Sequence, residues 1–194
     1  MPKCNLFVVS AMILLFTSMS IAQVHTVTAS NEVALPGASA TVKVTLDNEE
    51  AARGFSIGLA HTGTILTLTA ISSGAEVADS NGGAGPDFEF IDLTAAGGPG
   101  GTYAVILSFA SPLDEIAIGS GNEIALYSYT CSAAATPGSS EVLDFSDGLG
   151  APAVITVISV VSGTTSISRT PTKVSGSVSI GTPAPSNLSC SITD

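Results

Sequence analysis

The chain has 194 residues, enough for one well-filled domain with flanking segments but too few for two ample domains. Sixteen acidic residues against five basic ones give a formal net charge of −11, and a surface this acidic disfavours nucleic acid as a partner. Trp is absent and small residues are abundant, which suits a secreted all-β module better than a helical one.

The beginning of the chain has the composition of a secretory signal peptide. Lys3 supplies a positive charge, residues 6–16 are mostly apolar, and Ser20-Ile21-Ala22 has the small-x-small pattern of a cleavage site. The apolar run is shorter than the stretch of about 20 residues that a membrane-spanning helix needs. We therefore expect a leader over 1–22, a mature chain from Gln23 and a secreted, extracellular protein with no membrane span.

The cysteine count limits the disulfide chemistry. Cys4 lies in the predicted leader, which leaves Cys131 in a strand-like run and Cys190 near the end of the chain. Two thiols in an oxidising compartment can pair, and the sequence leaves open whether these two do. A disulfide-rich scaffold is excluded by the count alone.

The mature part begins with two predicted strands, 24–30 and 40–46. Two further predicted strands follow, 55–60 and 65–71, and we expect the rest of the fold to be arranged around them. In the first strand of that pair, large apolar residues alternate with small ones: Phe55, Ile57 and Leu59 against Ser56, Gly58 and Ala60. This period of two is typical of a half-buried strand. The three small residues form a smooth face, and we take them as candidate binding positions.

The later segments continue the pattern of short strands, predicted at 88–93, 103–109, 123–132, 142–145, 153–161, 166–168 and 173–180. The runs 103–109 and 153–161 are apolar on both sides, so we expect both of their faces to be buried. The segment 72–87 is rich in Gly, Ser, Asp and Asn and predicts a loop. Short strands at intervals of roughly ten residues, without a convincing helix, predict an all-β fold, an antiparallel β-sandwich of jelly-roll topology with about nine strands.

The composition changes after Gly181. Thr182-Pro183-Ala184-Pro185 resists both helix and sheet, so we place the domain at 23–181 and treat 182–194 as a linker and tail. The tail from Pro185 to Asp194 resembles the first strand of a fibronectin type III repeat.

The order of the elements resembles a cohesin domain. The resemblance is carried by the runs 36–48, 55–59 and 65–71 before Gly74, and by the later runs 103–110, 123–131 and 174–180. It implies a nine-stranded jelly roll over about 24–181 that binds a dockerin module through one sheet face, in a secreted bacterial protein. The strand 55–60 matches a contact strand of that family, but its outward residues here are small and Thr62-Gly63 replaces the usual Asp-Pro turn. No contact residue is therefore transferred.

The residues that could support catalysis or metal binding are poorly placed for either. His61 continues the apolar face of its strand, which favours a packed histidine over a catalytic base, and no nucleophile is placed beside it. The acids lie mostly in turns, and spacings such as Cys-x-x-Cys are absent. Asp79-Ser80-Asn81-Gly82 begins like a calcium loop, but Ala84 and Phe90 occupy its fixed positions. We expect no enzyme, cofactor or metal.

Two tyrosines support a second hypothesis, a carbohydrate-binding module of the same sandwich class. Tyr127 and Tyr129 share one side of a strand and could form a platform for a sugar ring, the alternative being a buried pair with satisfied hydroxyls. A third hypothesis is a structural spacer. Our first hypothesis remains a monomeric interaction module with a dockerin-like partner, and a polysaccharide is the partner in the second.

Overall fold

The computed structural model describes residues 24–162 and 165–183. The thirteen strands of this part are β1 Thr26–Ala29, β2 Asn31–Ala34, β3 Ser39–Asn48, β4 Ala52–His61, β5 Leu66–Ser73, β6 Phe88–Asp92, β7 Gly100–Ile106, β8 Gly119–Cys131, β9 Ser140–Phe145, β10 Val157–Ser162, β11 Thr165–Arg169, β12 Thr172–Val174 and β13 Gly176–Ile180. Two short helices, α1 Ala75–Ala78 and α2 Ser80–Gly83, lie between β5 and β6. The predicted leader, residues 184–194 and with them Cys190 lie outside the described residues, so those predictions stay predictions.

The strands form two sheets that enclose one core. The first sheet has the order β12-β1-β3-β8-β5, and the second has the order β11-β10-β4-β9-β13-β2. β7 also pairs with β4 along 54–60, and β6 pairs with β7 at the edge of the second sheet. Most pairs are antiparallel, whereas β1 with β12 and β2 with β13 are parallel. The predicted all-β sandwich is confirmed.

The strands outnumber the predicted nine because both ends of the domain are divided between the sheets. β1 belongs to the first sheet and β2 to the second, with Ser30 between them. The last strand divides in the same way at Ser175, so that β12 pairs with β1 while β13 pairs with β2. The hairpin of β10 and β11, beside β4, corresponds to the predicted strands 153–161 and 166–168.

Alternation along the strands places the core between the sheets. On β3, every second residue is buried, including Val42, Val44 and Leu46. On β4, the predicted apolar set of Phe55, Ile57 and Leu59 is buried as well. Full burial of a side chain of this size stabilises the fold by about 1.5–3 kcal/mol, so these alternating rows fix the register of both strands.

Two strands are more open than their apolar composition predicts. β10 begins only at Val157, and the preceding Ile155 is exposed. Within β10, Ile158 and Val160 are buried, while Val157 and Val161 line an open groove on the outside. β7 lies one strand from the sheet edge and exposes Ile106. The prediction of two buried faces was therefore wrong for the outer side of β10 and for the Ile106 end of β7, whereas Thr102, on the outer side of β7, is buried.

Candidate binding face

The outward face of β4 is partly covered by the chain itself. Residues 146–156, here called the covering loop, connect β9 to β10 and include the buried Leu149. A Cβ added at Gly58 would lie 2.6 Å from the Ser146 carbonyl oxygen and 3.5 Å from the Leu149 side chain. The Ser56 hydroxyl donates a hydrogen bond to the Ile155 carbonyl at 2.6 Å. A small residue is thus required at position 58, because the covering loop packs on it.

Polar contacts hold both ends of the covering loop. Asp147 Oδ1 accepts hydrogen bonds from Lys173 Nζ at 2.6 Å and from the Thr156 amide at 2.8 Å. These contacts, led by the one with Lys173, lower the pKa of Asp147 below its ordinary value. The Gly150 amide donates to the Ala96 carbonyl at 2.6 Å. The loop is therefore an attached part of the second sheet.

This arrangement changes the meaning of the three candidate positions on β4. Gly58 lies beneath the covering loop, Ser56 is hydrogen-bonded to it, and Ala60 is half-buried. The face of small residues predicted from the sequence exists, but the chain's own covering loop already contacts Gly58 and Ser56. A partner would meet the part of the face that the loop leaves open.

Beside the covering loop, the same face opens into an apolar groove of about 750 Å³. Its floor includes Gly54 and Ser56 of β4 and Ala104 of β7, and its apolar walls are Phe88, Ile106, Leu113, Val157 and Val161. Phe88 and Ile106 are 43% and 41% exposed. Exposed apolar side chains gathered in one concave patch are typical of a binding surface.

A smaller pocket of about 240 Å³ continues the face along β6 and β7, at the rim of the covering loop. Phe90, Asp92 and Thr102 line it from the sheet, and Gly150, Ala151, Pro152 and Val154 line it from the loop. Groove and pocket together form what we name the outer face.

The two tyrosines proposed as a sugar platform are interior residues. Tyr127 and Tyr129 are both 0% exposed, because their side of β8 faces the core. Burial raises the pKa of both phenols above the ordinary value. Their hydroxyls have no hydrogen-bond partner among the described residues. The hypothesis that these tyrosines form a sugar platform is therefore wrong. The alternative of a buried pair is confirmed, although neither hydroxyl is hydrogen-bonded within the described residues.

The second histidine of the chain is part of a buried polar cluster. His61 Nδ1 lies 2.6 Å from Glu141 Oε1, and the same carboxylate accepts the Gly63 amide at 2.8 Å and the Ile65 amide at 3.1 Å. The nearby Cys131 is buried, and burial raises the pKa of its thiol. A buried, protonated thiol is not a nucleophile. The cluster fixes the turn after β4, and the predicted packed histidine is confirmed.

Sequence reasoning missed the groove and the covering loop, although signals for both exist. In β10, Ser159 shares a side with Val157 and Val161, and this mixed row is typical of a face open to solvent. Leu149 is an apolar residue between two glycines, Gly148 and Gly150, which indicates a packing contact for this loop. The partner of that contact depends on the path of the loop. Alternation predicts which side of a strand a residue takes, but it does not predict what covers that side.

Comparisons with known proteins agree on architecture. No family model and no curated protein matches the chain. Among solved structures, the seventh ScaB type I cohesin of Pseudobacteroides cellulosolvens is similar with a TM-score of 0.62 and 16% identity, covering 84% of this chain and 96% of that one. The sixth cohesin of scaffoldin B from Acetivibrio cellulolyticus, solved in complex with a mutant Cel5 dockerin, gives 0.59 and 16%, covering 81% and 99%.

A third similar structure is a non-cellulosomal cohesin from the archaeon Archaeoglobus fulgidus, with a TM-score of 0.53, 13% identity and coverage of 82% and 92%. Neither of the two helices in the described part of the chain, which have four residues each, could span a bilayer. At these identities the likeness concerns the fold, and it covers nearly the whole of each known domain. The described part of the chain has the cohesin fold.

Proposed function

We propose that the chain is a secreted, non-catalytic interaction module of cohesin type that binds a dockerin-like protein through its outer face. The observation that carries the proposal is the apolar groove, which lies on the outside of the sheet built around β4. The similar A. cellulolyticus cohesin was solved with a dockerin bound. The predicted leader supports an extracellular site of action for such a module.

The groove offers the kind of surface that a helical partner recognises. Phe88, Ile106 and Leu113 expose about two fifths of their surface each, and they surround a floor of small residues. An amphipathic helix can place its apolar side chains in such a concave surface. Removing apolar area from water stabilises the complex by about 25 cal/mol per Å², so a few well-buried anchors dominate the affinity.

The test is a binding measurement with dockerin modules encoded in the same genome. Isothermal titration of the mature chain should find a dockerin-like partner, and Ile106→Asp or Phe88→Asp should weaken that binding at least about tenfold, because a charge in a buried anchor site is costly. Val33→Asp is the matched control, since Val33 is 74% exposed on β2, several strands from the groove.

Two results would reject this function. One is the absence of binding by every dockerin tested. The other is equal affinity of the Ile106→Asp, Phe88→Asp and Val33→Asp variants, which would show that a bound partner uses a different surface.

A further inference from the structure

The smaller pocket of the outer face contains a buried hydroxyl with no partner. Thr102 lines the pocket and is 0% exposed, and its Oγ1 forms no hydrogen bond within the described residues. Buried polar atoms are nearly always hydrogen-bonded to protein or to ordered water, so the unpaired hydroxyl of a residue that lines a pocket is a group that a ligand's N–H donor can complete. The pocket's volume of about 240 Å³ has room for one long side chain.

The rest of the lining selects the charge of that ligand. Asp92 is the direct cross-strand neighbour of Thr102, so both side chains lie on the outward face with their Cβ atoms about 5 Å apart. Asp92 Oδ1 accepts hydrogen bonds from the Thr94 amide and hydroxyl at 2.9 and 3.4 Å. Its Oδ2 accepts none in the described part of the chain. A free carboxylate oxygen beside an unpaired hydroxyl favours a cation with several N–H donors.

The apolar lining fits the stem of a long cationic side chain. Phe90 is exposed next to Asp92 on the same side of β6, and its ring can meet a cation through its face. Pro152 and Val154 of the covering loop offer apolar contact for methylene groups. An uncharged aliphatic side chain would leave the Thr102 hydroxyl unpaired, and an anion would be repelled by Asp92.

We propose that this pocket binds a lysine side chain of the partner protein. The lysine ammonium donates one hydrogen bond to Thr102 Oγ1 and one to the Asp92 carboxylate, while its third N–H faces the Phe90 ring or water. The two acceptors match an ammonium better than an arginine, which would bring five donors into the site. This proposal rests on the proposed function, because it assigns a chemical feature to the same partner.

The spacing of groove and pocket adds a geometric requirement. Phe88, Phe90 and Asp92 are successive outward positions of β6, so about 13 Å of strand separates the groove wall from the carboxylate. A helix that runs along the strands rises about 1.5 Å per residue. Its lysine therefore lies about eight or nine residues from the apolar side chain that enters the groove.

The pocket is tested without any dockerin, by nuclear magnetic resonance on the isotope-labelled mature chain. The probes are N-acetyl-lysine N-methylamide and the matching norleucine compound, which has a similar stem and no ammonium. The lysine probe should shift the amide signals of Thr102 and Ala151 in a saturable way, and the norleucine probe should not. Thr102→Val should weaken lysine binding about fivefold or more, and Asp92→Asn should do the same, because each removes one acceptor.

Asp144→Asn is the matched control, since it removes one negative charge from β9 in the same sheet and leaves the pocket intact. Equal shifts by the two probes, or lysine affinity that Thr102→Val and Asp92→Asn leave unchanged, would overturn the lysine site. Selective lysine binding in a chain that binds no dockerin would support the pocket and reject the proposed function alone, so the two failures can be told apart.

Discussion

Glu141 holds the turn after β4 through hydrogen bonds to three groups. Its carboxylate accepts hydrogen bonds from His61 and from the amides of Gly63 and Ile65, and the side chains of Glu141 and His61 are both buried. Glu141→Ala should lower the free energy of unfolding by about 3 kcal/mol, because it leaves these donors unpaired in the interior. Denaturation in urea, followed by circular dichroism, measures the change.

The control for this residue is Glu123→Ala. Glu123 pairs with Lys43 at 2.7 Å, but the pair lies at the surface, and exposed ion pairs contribute little. We expect its midpoint to stay close to that of the unmodified chain. A Glu141→Ala midpoint as high as that of Glu123→Ala would show that the buried contacts are replaced by water at little cost.

At the scale of the element, the covering loop depends on a glycine and a leucine. Leu149→Ala removes a buried side chain and should cost the loop about 2–4 kcal/mol of its packing. Gly58→Ala places a Cβ 2.6 Å from the Ser146 carbonyl oxygen, so the loop must move away from β4. Both variants should speed hydrogen exchange in peptides that cover 146–156, as measured by mass spectrometry.

Gly119→Ala is the matched substitution for Gly58→Ala. A Cβ at Gly119 would lie 3.4 Å from the side chain of Asn122, an ordinary contact distance with a side chain that can adjust. Exchange in the covering loop should be unchanged in this variant. Slow exchange in Gly58→Ala would mean that the loop is held by its hydrogen bonds at Asp147 and Gly150, and not by packing on β4.

The strands show how much of the fold and of the binding face could be predicted from the sequence. Alternation predicted the inner face of β4 and the burial of His61, because both follow from the period of a strand beside a core. It did not separate a platform from a core for Tyr127 and Tyr129, since alternation does not state which side of a sheet faces the other sheet. Contacts made by a loop far along the chain, such as Leu149 on Gly58, depend on the path of that loop, which alternation does not predict.

At the scale of the whole molecule, ion pairs join segments that are distant in sequence. Arg169 of β11 donates two hydrogen bonds to Glu50, at 2.7 and 2.9 Å, and His25 near the start of the domain lies 3.2 Å from the same carboxylate. Lys173 of β12 holds Asp147 of the covering loop. Two of the few cations of this acidic chain, Arg169 and Lys173, thus connect the end of the domain to Glu50 and to the covering loop.

These pairs predict the acid limit of stability. The hydrogen bonds from Arg169, followed by that from His25, hold the pKa of Glu50 below its ordinary value of 4.5. A folded-state pKa that is depressed contributes stability above the unfolded pKa, and this contribution is lost as the pH falls through the folded value. Glu50→Gln should therefore lower the melting temperature at pH 7 and flatten its decline between about pH 5 and pH 3.

Scanning calorimetry across this range measures both effects, with Glu76→Gln, at an exposed position in the first turn of α1, as control. A Glu50→Gln profile parallel to that of the control would show that the contact with Arg169 does not persist in solution.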